Sequence, residues 1–104
     1  MIKSILTPTR NRPANCERFI KSVYNSARTK KNVEMLFYVD NDDPSIGAYK
    51  SLDWHAQKEY EGFKNIKFIY GEPKSVSISW NDLATACIGD VLIMGNDDLV
   101  YQTD

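Results

Sequence analysis

Histidine occurs once in this chain, cysteine twice and glycine only five times in 104 residues, and each shortage removes a class of chemistry. His55, the lone imidazole, stands beside Trp54 and far in sequence from every cluster of acids, so it reads as a surface residue and no Ser-His-Asp or Cys-His set can be assembled. Cys16 and Cys87 fall in predicted helices among apolar neighbours and read as buried, reduced thiols. Neither Gly-x-Gly-x-x-Gly nor Gly-x-x-x-x-Gly-Lys-Ser/Thr occurs, which excludes a dinucleotide fingerprint and a P-loop. No apolar run approaches the length of a membrane span. Nor is there an excess of one charge: 13 Lys and Arg against 14 Asp and Glu give a net charge of -1, so no nucleic-acid partner is expected. The first six residues lack the apolar core and cleavage site of a secretory signal, which gives the cytoplasm as the expected location.

With 42% hydrophobic and 26% charged residues, residues 1–104 have the composition of one soluble globular domain. Lys3 to Thr7 reads as a short strand, followed by a loop from Thr7 to Pro13 that two prolines punctuate. Pro13 can open a helix, because its missing N–H would be unpaired there in any case. Cys16, Phe19, Ile20, Val23, Tyr24 and Ala27 recur at helical spacing, and the basic run Arg28 to Lys31 is expected to end that helix. Val33 to Val39 is apolar enough for a strand covered on both faces.

Ile46, Tyr49, Leu52 and Ala56 make a helical stripe interrupted by Gly47, so Pro44 to Glu61 reads as an irregular loop passing into a helix. A third strand is predicted over Ile66 to Tyr70. A third helix follows, with N-caps available in Ser75 to Ser79, an apolar face of Ile78, Leu83, Ala84 and Cys87, and Gly89 as its cap. Asp90 to Gly95 is expected to be a last, buried strand. This alternation predicts an α/β fold with a mostly parallel sheet of about four strands and right-handed crossovers.

In such sheets ligands bind beyond the carboxyl ends of the strands. Here those ends carry Thr7 to Arg12, Asp40 to Asp43, Gly71 to Lys74 and Asn96 to Asp98. Thr7, Thr9 and Asn11 can hydrogen-bond a sugar or base, and Arg10 and Arg12 suit phosphate oxygens, with plain solvation as the alternative. Asp40 can accept hydrogen bonds from a uracil imide or a pair of ribose hydroxyls, whereas Asp43, before Pro44, reads as a turn or cap residue. Adjacent carboxylates such as Asp97 and Asp98 repel by roughly 4 kcal/mol at ~4 Å and an effective dielectric near 20, which argues for a cation between them. A site of oxygens alone selects Mg2+ or Mn2+, with water and substrate phosphates completing the shell; a polar turn is the alternative.

Four stretches in order, Ile5 to Pro13, Val39 to Asp43, Ser79-Trp80-Asn81 and Gly89 to Asp98, resemble the nucleotide-binding half of GT-A glycosyltransferases of the family 2-like group. The resemblance implies a Rossmann-like, three-layer α/β/α arrangement that binds a UDP- or GDP-linked sugar with Mn2+ or Mg2+ for transfer to an unknown acceptor. It implies that Thr7, Pro8 and Arg10 line the nucleotide pocket, Asp40 contacts base or ribose, Lys74 lies near the diphosphate and Asn81 near the nucleotide sugar. Asn96 to Asp98 would be the Asp-x-Asp motif, with Asp98 the metal ligand and Asp97 on ribose or metal-bound water; Asn96 departs from the acid common at its position. Similar enzymes continue into an acceptor half that supplies the catalytic base. The expectation is therefore a truncated domain whose unpaired sheet edge invites self-association, or a non-catalytic nucleotide-binding module.

Overall fold

The computed structural model describes residues 1–73 and 76–95. Its elements are β1 (Lys3–Thr9), α1 (Pro13–Ser26), a short 3-10 helix (Lys30–Asn32), β2 (Val33–Asp40), α2 (Ile46–Glu59), β3 (Asn65–Gly71), α3 (Val76–Ala86) and β4 (Val91–Met94). The sheet has the order β3-β2-β1-β4, and all three pairings are parallel. Crossovers from β1 to β2 and β2 to β3 step one way across the sheet, and the crossover from β3 to β4 steps back. Right-handed connections then put α1 and α2 on one face and α3 on the other.

The period-2 alternation of the strands sorts the core accordingly. Ile5, Met35, Phe37, Val39 and Ile66 pack with Cys16, Phe19, Ile20 and Val23 of α1 and with Tyr49, Leu52 and Ala56 of α2. Leu6, Leu36 and Tyr38 meet Leu83 on the opposite face, with Trp80 and Ala84 against them. β2 is buried along nearly its whole length, as an apolar strand covered on both faces must be. Glu34 is the exception in kind: its buried carboxylate accepts from Ser4 Oγ (2.8 Å), Asn65 Nδ2 (3.1 Å) and the Ile88 amide (3.0 Å), tying the connection after α3 to the sheet.

Several sequence expectations are corrected. β1 runs on through Pro8 to Thr9. Leu6 O accepts from Gly95 N, so Leu6 and, two residues on, Pro8 turn their polar groups toward β4; pairing with β4 ends at Leu6, so the missing N–H of Pro8 breaks no ladder bond. α1 ends at Ser26, before the basic run, although Lys30 Nζ still reaches Ala27 O at 3.4 Å. α2 is regular from Ile46 despite Gly47. Ile78 is exposed and Ser79 takes the buried position, because the face that meets the sheet is set by Ser79, Trp80 and Leu83.

Gly89 does not adopt a positive φ and is not a helix cap; a Cβ there would collide with the Ser4 side chain and come within 2.9 Å of its amide nitrogen. β4 is an exposed edge, not a buried strand, with Leu92 44% and Met94 57% accessible. Among the described residues, no helix is long and apolar enough to cross a membrane.

Candidate functional site

Because every strand runs the same way, their carboxyl ends share one rim. β1 lies between β2 and β4, so strand order reverses at β1, the place where parallel α/β sheets open a crevice. The loops after β1 and β2 stand together beside it.

These two loops are joined by a chain of polar contacts. Arg10 Nη1 donates to Asp40 Oδ2 at 2.6 Å and to Asp42 Oδ1 at 3.1 Å, and these bonds, Asp42 first and Asp40 second, raise the guanidinium pKa above its ordinary value. Arg10 is half exposed, whereas the Asp40 side chain is only 14% accessible. Solvent screens an exposed pair of this kind, so its consequence is orientation rather than folding energy.

Asn11 follows with φ 51°, a left-handed conformation that Asn tolerates better than most residues. Its amide donates to Asp43 Oδ2 (2.7 Å), and its Oδ1 accepts from Ser45 Oγ (2.6 Å). Asp43, buried, also accepts from the Ser45 amide (2.8 Å), which makes it the turn residue its place before Pro44 suggests. Tyr49 closes the set from α2: its hydroxyl accepts from the Arg12 amide (2.9 Å) and shares a 2.7 Å hydrogen bond with Thr9 Oγ1. Burial raises the Tyr49 pKa.

Thr7, Pro8, Thr9, Arg10 and Arg12 are brought to the end of β1, with Asp40 beside them at the end of β2. Thr9 is turned inward and engaged by Tyr49. Thr7 is fully buried, and its Oγ1 has no hydrogen-bond partner among the described residues. Gly95 passes directly over it: a Cβ there would strike Thr7 Oγ1 and lie 2.9 Å from Ile5 Cγ2. Only glycine lets the backbone leave β4 this close to β1.

Asn81 is exposed on α3, next to Trp80, whose Nε1 donates to Leu6 O at 3.0 Å and fixes α3 against the site strand. Lys74, Asn96, Asp97 and Asp98 lie outside the described residues. Among the described residues no three acids, cysteines or histidines gather as a metal site. Asp42 and Tyr49 join the site without having been singled out by sequence, where the first looks like part of a turn and the second like core packing. For Tyr49 a signal exists, since a buried phenol brings a hydroxyl that needs a partner where phenylalanine would fill the same space.

The sequence profile of glycosyl transferase family 2 matches residues 4–104. The chain belongs to this family. Among solved structures, this family 2 domain is similar to the mannosyltransferase PcManGT from Pyrobaculum calidifontis, solved in complex with GDP-Man and Mn2+: TM-score 0.76 at 12% identity, over 92% of this chain and 27% of that one. It is similar also to TarS 1-349 from S. aureus, with TM-score 0.72 at 15% identity over 94% of this chain and 28% of that one. At such identities the likeness is one of fold, the α/β sheet of GT-A glycosyltransferases. The family 2 domain thus spans about a quarter of the length of either protein (27% and 28%). No curated protein matches it in sequence.

Proposed function

We propose that this domain holds a UDP- or GDP-linked sugar at the carboxyl rim, with Mn2+ or Mg2+, as the donor for glycosyl transfer to an acceptor hydroxyl. The observation that carries the reading is the convergence of the Thr7 to Arg12 loop and Asp40 beside the β1/β4 crevice, in a chain of glycosyl transferase family 2. Thr7 and Pro8 border the crevice, Asp40 takes the nucleoside, Lys74 the diphosphate, and Asn81 the sugar side. The oxygen donors Asp98 and Asp97 fit a hard cation and would hold it. When bound, the ion supplies positive charge to the departing nucleoside diphosphate. The PcManGT complex with GDP-Man and Mn2+ supports both donor class and ion type by analogy of fold.

A second reading, a binding module without transfer activity, is favoured by the quarter-length span against both solved relatives, 27% and 28%. In it the acceptor side and its catalytic base belong to further polypeptide. Calorimetric titration with UDP and GDP, with and without Mn2+, tests the common core of both readings. Metal-dependent binding that Asp98→Asn weakens is expected; no binding by either nucleotide, or binding indifferent to metal and to Asp98, removes both. Sugar transfer by the isolated chain removes the second alone.

A further inference from the structure

Arg10 suits phosphate by residue type, but its surroundings fit that task poorly. With Asp40 and Asp42 on one guanidinium nitrogen, the cluster carries two negative charges against one positive. A diphosphate brought to Arg10 would face both carboxylates at short range, where like charges repel. What the cluster does supply is a fixed carboxylate. The Asp40 backbone pairs with Gly71 in the sheet, its carbonyl accepts from the Asp43 amide at 3.0 Å, and the next amide, Asn41, donates to Gly71 O at 2.7 Å. The Arg10 backbone is held on both sides, by Thr9 bonded to Tyr49 and by Asn11 bonded to Asp43 and Ser45. Both residues therefore stand on pinned main chain, and the 2.6 Å bond from Nη1 to Oδ2 fixes the side chains that remain. Oδ1 of Asp40 carries no hydrogen bond among the described residues.

We propose that Arg10 is a positioning residue for the nucleoside end of the donor, acting through Asp40 and not on the diphosphate. Held by Arg10, Asp40 accepts a ring N–H of the base at Oδ1, next to a ring carbonyl. This is the imide or lactam edge that uracil and guanine share. A ring N–H flanked by carbonyl is more acidic than an exocyclic amino group and makes the stronger bond to a carboxylate. The assignment rests on the donor-binding reading above and goes beyond it in giving Arg10 the orientation of Asp40.

The test is a double-mutant cycle on the affinity for UDP and GDP in the presence of Mn2+, using Arg10→Gln, Asp40→Asn and the double variant. Arg10→Gln is expected to lose about tenfold in affinity, the scale of one hydrogen bond to a charged group. The double variant should then bind no more weakly than Asp40→Asn alone, and whichever nucleotide the unmodified chain prefers identifies the base. Arg10→Lys, which keeps charge without the planar fork, should fall between. An unchanged melting temperature separates this effect from loss of fold, as expected for a half-exposed pair. Losses that multiply in the double variant, or an Arg10→Gln affinity equal to the original, overturn the role of Arg10 and leave donor binding standing. Failure of the unmodified chain to bind either nucleotide overturns both.

Discussion

Tyr60 and Asp43 are both buried, and each meets the cost of burial differently. Asp43 is surrounded by donors, whereas the Tyr60 hydroxyl finds no partner among the described residues, and its ring packs T-shaped against Tyr24, with centroids 5.1 Å apart. Burial first, then the nearby Glu59 and Glu17 charges, push the Tyr60 pKa from 10.0 up to about 12. The neutral phenol is thus favoured in the fold, and the unfolded chain ionises first as pH rises. Stability should be level below pH 10 and fall between 10 and about 12, in a denaturant titration repeated across that range. Tyr60→Phe should flatten part of the fall, leaving the parts of Tyr70 and Tyr49, whose pKa values burial also raises. At neutral pH that variant should be equal in stability or gain up to about 1 kcal/mol, since it removes an unsatisfied buried hydroxyl. At this scale the sequence is legible where chemistry is local. Asp43 before Pro44 reads as structural, and it is. The carboxylate partners of Arg10 lie 30 and 32 residues away, and pairing at that distance leaves no mark on local sequence.

The elements are legible wherever periodicity is strong: the α1 stripe, the apolar β2 and the alternation that dictates a parallel sheet all stand as read. Two of the misses share one cause, which is that topology rather than propensity decides them. Pro8 sits in a strand because β4 stops short of it, and β4 reads as buried from composition yet lies at an edge. The glycines divide in the same way. Gly47, near the start of α2, would have nothing within 4 Å of an added Cβ, whereas Gly95 is pressed against Thr7 and Ile5. Gly47→Ala should therefore stabilise by about 0.5–1 kcal/mol, and Gly95→Ala should destabilise by about 1–3 kcal/mol through overpacking at the site. Chemical denaturation of the two variants side by side checks the contrast. Equal effects would remove the close β1/β4 approach as the reason for Gly95.

Across the whole molecule the two sheet edges are unlike. β4 presents Val91, Leu92 and Met94 with Ile88 nearby, all substantially exposed. An apolar edge strand with open hydrogen-bonding groups is a template for another strand. The isolated chain is expected to associate through β4, seen as a mass that rises with concentration in sedimentation equilibrium, and Leu92→Lys should return it to the monomer. A monomeric mass at all concentrations would count against this use of the edge.

The position of β1 between β2 and β4 also bears on how the crevice comes into being. Lys3 pairs with Val91, and the Ile2 amide reaches Asp90 Oδ2 across 88 positions of sequence. A chain emerging from its amino end can pair β1 with β2 and β2 with β3 before residues 91–94 exist, so one side of β1 waits open until β4 arrives. Such distant closure is the slow kind. Among the four strands the crevice side of β1 is therefore the last to be closed, and a change that delays the docking of β4 reaches the site before it reaches the rest of the sheet.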